Sequence, residues 1–99
     1  MLTKKFFKTK QEAEITFDFN RDDVTSVVLY AEFNQWQPLQ MKFNKSAKAF
    51  RAKVRLPKDE QYAFRYLLND QEWENDYKAD AYQANEFGSE DSVVSTYQQ

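Results

Sequence analysis

Two tryptophans, one arginine and a scatter of carboxylates are the side chains whose chemistry stands out. Trp36 lies in the stretch Phe33-Asn34-Gln35-Trp36-Gln37-Pro38, among polar turn formers and two residues before a proline. Trp73 follows the run from Phe64 to Asp70. An indole set in a loop has no acid–base capacity; what it offers is a flat apolar face. Sugar rings carry apolar C–H faces that lie against indoles, and edge hydroxyls that pair with donors and acceptors. Aromatic stacking of this general kind adds about 0.5–1.5 kcal/mol beyond area burial. Arg65 alternates with Tyr62, Phe64 and Tyr66, so if those rings meet a core, the guanidinium points outward. Two indoles, a long-armed cation and a nearby amide or carboxylate can form a binding platform.

Other chemistries find fewer parts. The chain has no cysteine and no histidine, so no thiolate acts and no imidazole activates a serine or threonine. Zinc lacks its usual ligands. A single glycine cannot build a glycine-rich phosphate cradle. Among Glu72, Glu74, Asp76 and Asp80 a glycosidase-type carboxylate pair is conceivable, and so is a calcium site on Asp76 and Asp80. The spacing does not fit an EF-hand loop, which needs a mid-loop glycine and a terminal glutamate. A solvated acidic loop is the favoured account of these carboxylates. No catalytic residues, cofactor or metal site are expected.

Bulk properties narrow the class. The chain has 99 residues, which points to one domain over 1–99 with one core. With 14 basic and 16 acidic residues interspersed and a net charge of −2, it lacks the concentrated basic footprint of a nucleic-acid binder. No stretch approaches the roughly 20 apolar residues of a membrane helix. The opener Lys4-Lys5-Phe6-Phe7-Lys8-Thr9-Lys10 is too poor in apolar residues for a signal-peptide core. A cytoplasmic protein is expected. Aromatics make up 17% of the chain. A thin sandwich filled with bulky side chains accounts for most of them, which leaves some for a surface site.

Period-two alternation dominates. Ala13, Ile15, Phe17 and Phe19 share one face of their stretch; so do Val27, Leu29, Ala31 and Phe33, then Phe50, Ala52, Val54 and Leu56, then Tyr62, Phe64, Tyr66 and Leu68. Turn-forming clusters at 20–23, 44–48, 57–60 and 69–72 separate them. With Phe6–Lys8, Met41–Phe43 and Ser92–Thr96 this gives about seven short antiparallel strands, the pattern of an all-β immunoglobulin-like sandwich. Residues Glu72 to Asp91 do not alternate and read as a long surface loop, with Gly88 in a turn that needs positive φ.

The segment from Val27 to Phe43, VVLYAEFNQWQPLQMKF, resembles the V-x-L-x-G-x-F-N-x-W-x-P…M stretch of the isoamylase early-set domains. These include the glycogen- and starch-binding modules of branching and debranching enzymes and of the AMP-activated protein kinase β subunit. The segment from Lys53 to Ser95 resembles the same group's L-P-x-G-x-Y-x-Y-K-F-x-V-D-G-x-W-x-x-D-P…N-x-x-G-x-x-N-S-V-V. The likeness covers residues 13 to 96. It implies an early-set sandwich with Trp36 and Trp73 gripping α-linked glucose and Arg65 in place of a strand lysine that contacts sugar hydroxyls. It further implies Phe87 as the bulky loop residue that pushes into the glucan curl, Ser89 as a hydroxyl beside it, and Asp91 in place of an asparagine. Departures lie at Ala31-Glu32, Asp59 and Asn69-Asp70, where the family often has glycine, and at Gln71, which resembles a one-residue insertion before Trp73. Asn and Asp tolerate left-handed backbone, so those turns can survive.

The expectation is a stand-alone, non-catalytic module for an α-1,4-glucan such as glycogen or maltooligosaccharide, acting as a monomer or weak homodimer. The alternative is an interaction module that docks on a separate glycan-metabolising enzyme or self-associates through a strand edge, with no glycan bound.

Overall fold

Alternating side chains commit this chain to extended backbone, because each strand then offers one face to a core and the other to water. The computed structural model describes residues 1–98, and within them ten strands form: β1 (Leu2–Phe6), β2 (Glu12–Phe19), β3 (Val27–Ala31), β4 (Leu39–Gln40), β5 (Lys42–Asn44), β6 (Ala49–Pro57), β7 (Gln61–Leu68), β8 (Glu72–Glu74), β9 (Ala81–Ala84) and β10 (Glu90–Ser95). The last residue of the expected 1–99 domain lies outside the described residues. One antiparallel sheet has the order β1-β2-β6-β5; the other runs β4-β3-β7-β10-β9, with β8 also pairing to β7. The two pack as an all-β, immunoglobulin-like sandwich, as the alternation predicts. No helix among the described residues is long and apolar enough to cross a membrane.

The core is where the expected inward faces meet. Ile15 and Phe17 of β2, Val27, Leu29 and Ala31 of β3, Phe64, Tyr66 and Leu68 of β7, and Val94 of β10 are all buried in one cluster. Phe64 meets Phe17 edge-on at 5.1 Å and Tyr66 at 5.6 Å, and Phe19 tilts against Tyr66 at 5.0 Å. Each large buried side chain stabilises the fold by about 1.5–3 kcal/mol. Rings fill a thin sandwich, which is where much of the aromatic excess goes.

The sequence reading needs two corrections. The span from Glu72 to Asp91 is not one long loop: it holds β8 and β9, and between them Asp76 is fully buried. The Asp76 carboxylate accepts hydrogen bonds from the Met1 ammonium at 2.5 Å, the Tyr66 hydroxyl at 2.8 Å and the Lys78 backbone N–H at 2.8 Å. Its own N–H donates to Ser92 Oγ, and its carbonyl accepts from the Tyr82 hydroxyl. Burial, with the carboxylate beside it, holds the Tyr66 phenol well above its ordinary pKa. The first strand is also Leu2–Phe6 rather than Phe6–Lys8. Its Lys4 is only partly exposed and pairs with Asp80 at 2.7 Å, so the apolar alternation is interrupted where the strand is real.

The turns rest on Asn and Asp. Asp59, Asn69 and Asp70 have φ of 61°, 53° and 57°, and Gly88 has 81°. Asn69 also works through its side chain. Its Oδ1 accepts from the backbone N–H groups of Thr25 and Ser26 and the Thr25 hydroxyl, and its Nδ2 donates to the Asp23 carbonyl. The β7–β8 turn is thereby tied to the β2–β3 turn. Asn69→Ala is expected to lower unfolding free energy by about 2–3 kcal/mol, combining left-handed strain with lost hydrogen bonds. Asn69→Gly, which removes only the second part, should cost less in the same denaturant titration.

Arg21 adds an exposed clamp over the same turns. It donates in bidentate fashion to Asp23 (2.6 and 3.1 Å) and to Glu72 (3.0 and 2.8 Å). Its hydrogen bonds hold both carboxyls below their ordinary range. A carboxyl depressed in the folded state contributes stability above the unfolded value, about 4, and that contribution is lost as pH falls through the folded value. The thermal midpoint of the wild type should therefore fall more between about pH 5 and pH 3 than that of Arg21→Ala. Equal falls would show that the clamp adds nothing.

Candidate functional site

The outer face of the larger sheet carries the side chains that alternate with the core residues. Tyr30 of β3 stands directly across from Arg65 of β7. The β7–β10 pairing matches Phe64 with Ser92, so Asp91 falls beside Arg65, with Gln83 of β9 beyond it. Trp73 of β8 pairs with Leu67 on the same face. It meets Tyr30 edge-on at 5.1 Å, while the Arg65 guanidinium lies over its ring at 5.6 Å from the centroid. Gln71 occupies the β7–β8 turn and accepts its place there by donating its N–H to the Leu68 carbonyl. The apparent insertion therefore leaves Trp73 on this face.

Trp36 arrives by a different route. After Ala31 the chain leaves the sheet in a one-turn 3-10 helix, Glu32–Asn34. The Glu32 carboxylate accepts from the Ala63 N–H at 2.6 Å and so takes the place of the departed strand as that donor's partner. Ala31 is extended at φ −152°, which needs no glycine. Gln35 and Trp36 then both adopt left-handed backbone at φ 59°, and the Trp36 N–H returns to the Ala31 carbonyl at 2.8 Å. Left-handed conformation in such residues costs about 1–2 kcal/mol each, and strain of this kind collects at functional sites. The result is an indole held over the sheet and 41% exposed, against 47% for Trp73.

The third wall is the β9–β10 loop, organised by Asn85. Its Oδ1 accepts from the N–H groups of Phe87 and Ser89, and its Nδ2 donates to Ser89 Oγ at 3.0 Å and Asp91 Oδ1 at 3.2 Å. Gly88 supplies the positive φ that reverses the chain. Phe87 is left 84% exposed, with its ring in solvent at the lip.

These elements enclose a hollow of about 580 Å³, within the range of small-ligand sites. Of the six residues singled out from the sequence, Trp36, Arg65, Trp73, Phe87 and Asp91 line it. Ser89 does not: its hydroxyl is engaged with Asn85 inside the loop. Tyr30, Asn85 and Glu86 also line it and were missed. Tyr30 had a readable signal, an aromatic on the outward parity of β3; Asn85 had its place three residues before the glycine. Arg65 Nε is buried with no hydrogen-bond partner and lies 3.9 Å from Asp91 Oδ1.

The carboxylates weighed for catalysis or calcium are occupied elsewhere. Asp76 is buried in its network, Asp80 holds Lys4 and the Ser95 N–H, Glu72 holds Arg21, and Glu74 accepts from the Asn75 N–H and lies 3.8 Å from Arg21. No group of three or more metal-ligating side chains converges among the described residues. Neither the models of protein families nor the sequences of curated proteins match this chain.

Proposed function

We propose that this protein binds α-glucan, such as glycogen or maltooligosaccharide, without altering it chemically. One observation carries the reading: two half-exposed indoles and a guanidinium, drawn from three separate segments, line a single hollow on the outer face of a sheet. Rigid indoles present the apolar faces that glucose rings stack on, Glu86 and Asp91 supply acceptors for their hydroxyls, and the Arg65 guanidinium supplies donors. Phe87 at the lip suits a curled chain rather than a flat one. The resemblance to glycogen-binding early-set modules points the same way.

The test is migration through a native gel cast with glycogen, beside a gel without it. Retardation supports the reading, and equal mobility removes it. Incubation with maltooligosaccharide should release no new reducing ends; their appearance would make the protein an enzyme instead.

A second reading, docking on a glycan-metabolising enzyme or on a second copy, is favoured by β9. All four of its residues are exposed, none is charged, and it forms an edge of its sheet. Such edges invite pairing with another strand. Sedimentation across a concentration series tests self-association.

A further inference from the structure

The charges around the hollow carry the glucan reading, on which this step rests, to a choice among glucans. Arg65 is the single cation among the lining residues, and Glu86 and Asp91 are two carboxylates. Arg65 is already engaged within the protein. Its guanidinium lies over Trp73, and its Nε is closed off from solvent and forms an ion pair with Asp91 Oδ1 at 3.9 Å, without a hydrogen bond. Asp91 is itself buried and is fixed by the Asn85 amide at 3.2 Å. The cation is thus neutralised from inside the site. Glu86 is exposed on the loop that carries Phe87 and has no ion-pair partner among the described residues. The hollow therefore presents one more carboxylate than cation to whatever enters it.

We propose that Glu86 and Asp91 make this hollow selective for neutral glucan and reject glucan that bears phosphate monoesters. A neutral glucose ring pays no Coulomb penalty here, and its hydroxyls can donate to the two carboxylates. A phosphate on the same ring carries about −1.5 to −2 charge at pH 7. It meets an unpaired carboxylate at the rim and a guanidinium whose charge is already answered. At separations of about 6 Å in a solvent-like dielectric, the repulsion corresponds to roughly three- to tenfold in affinity, and salt screens it over about 8 Å at physiological ionic strength.

The experiment is isothermal titration of the full chain with maltoheptaose and with the same oligomer carrying a C6 phosphate monoester, at low salt and at 1 M salt. In low salt the phosphorylated oligomer should bind at least threefold more weakly, and the gap should narrow at 1 M. Glu86→Gln should narrow it in low salt. Asp91→Asn, which frees the guanidinium, should raise affinity for the phosphorylated oligomer. Equal affinities at low salt would overturn the selectivity alone. So would a gap that survives both 1 M salt and Glu86→Gln, since that marks a steric clash. If neither oligomer binds, the glucan reading itself falls and the selectivity falls with it.

Discussion

Trp73→Ala is expected to pass through a glycogen-loaded gel as freely as through an empty one, while its unfolding curve stays close to that of the wild type. Trp73 contributes to the site in three ways at once. It is about half exposed in the hollow, it packs edge-to-face with Tyr30, and its ring carries the Arg65 guanidinium. Truncation removes the stacking surface and also the support that holds the arginine. Central aromatic anchors of this type cost about 2 kcal/mol or more when cut to alanine, which is roughly 30-fold in Kd. Stability should change little, because the indole is half exposed on a three-residue strand outside the core. Trp36→Ala should give a loss of the same order, since its half-exposed ring lines the same hollow. A variant of either kind that binds glycogen as tightly as wild type would show that the hollow is not where polysaccharide is held.

The largest effect on stability is expected from Asp76→Ala. The carboxylate is fully buried, and removing it leaves the Tyr66 hydroxyl and the Lys78 N–H without their acceptor and the Met1 ammonium with only the Asp18 carbonyl. The Met1 ammonium is exposed and keeps that carbonyl, so the cost comes chiefly from the buried Tyr66 hydroxyl and the Lys78 N–H, at about 1–3 kcal/mol for each group left unsatisfied. That is a large part of the roughly 5–15 kcal/mol that holds a domain of this size together. Asp76→Asn keeps the shape and one acceptor but not the charge, so it should fall between the two in a urea titration. A loss below about 1 kcal/mol for the alanine variant would mean that water replaces the carboxylate at no cost. Glycan binding in the same variant, measured well below its unfolding temperature, should persist, because Asp76 does not line the hollow.

The two experiments separate what the amino-acid pattern reveals from what it hides. β2, β3, β6 and β7 are legible because their inward positions are apolar at every second residue, and the core is built largely from those positions. Arg65 and Tyr30 are outward by the same parity. Between Glu72 and Asp91 the rule fails for a definite reason: the fully buried anchor there is Asp76, a polar residue whose N–H is satisfied by Ser92 just beyond the span. A hydrophobicity pattern cannot register a carboxylate whose partners lie 10 and 75 positions away. β8 and β9 have three and four residues and no buried apolar face, so nothing in composition marks them. β1 was displaced because Lys4 takes up an ion pair where alternation would place an apolar side chain. At the site, Trp36 announced itself by standing in a turn and Trp73 by following one. Asn85 offered only its spacing from Gly88, since its role is to bond a loop whose shape the fold defines.

The outer row of Tyr30, Arg65 and Asp91 shares its strands with Leu29, Phe64 and Ser92, which face inward. Adjacent letters of the same strand thus answer to separate masters, one to foldability and the next to recognition. Taste for a ligand can drift in such a scaffold while the architecture beneath stays whole. A small library randomised at positions 30, 65, 86 and 91 should return mostly folded proteins whose hollows differ in what they bind, which makes this sheet a practical chassis for new binding surfaces.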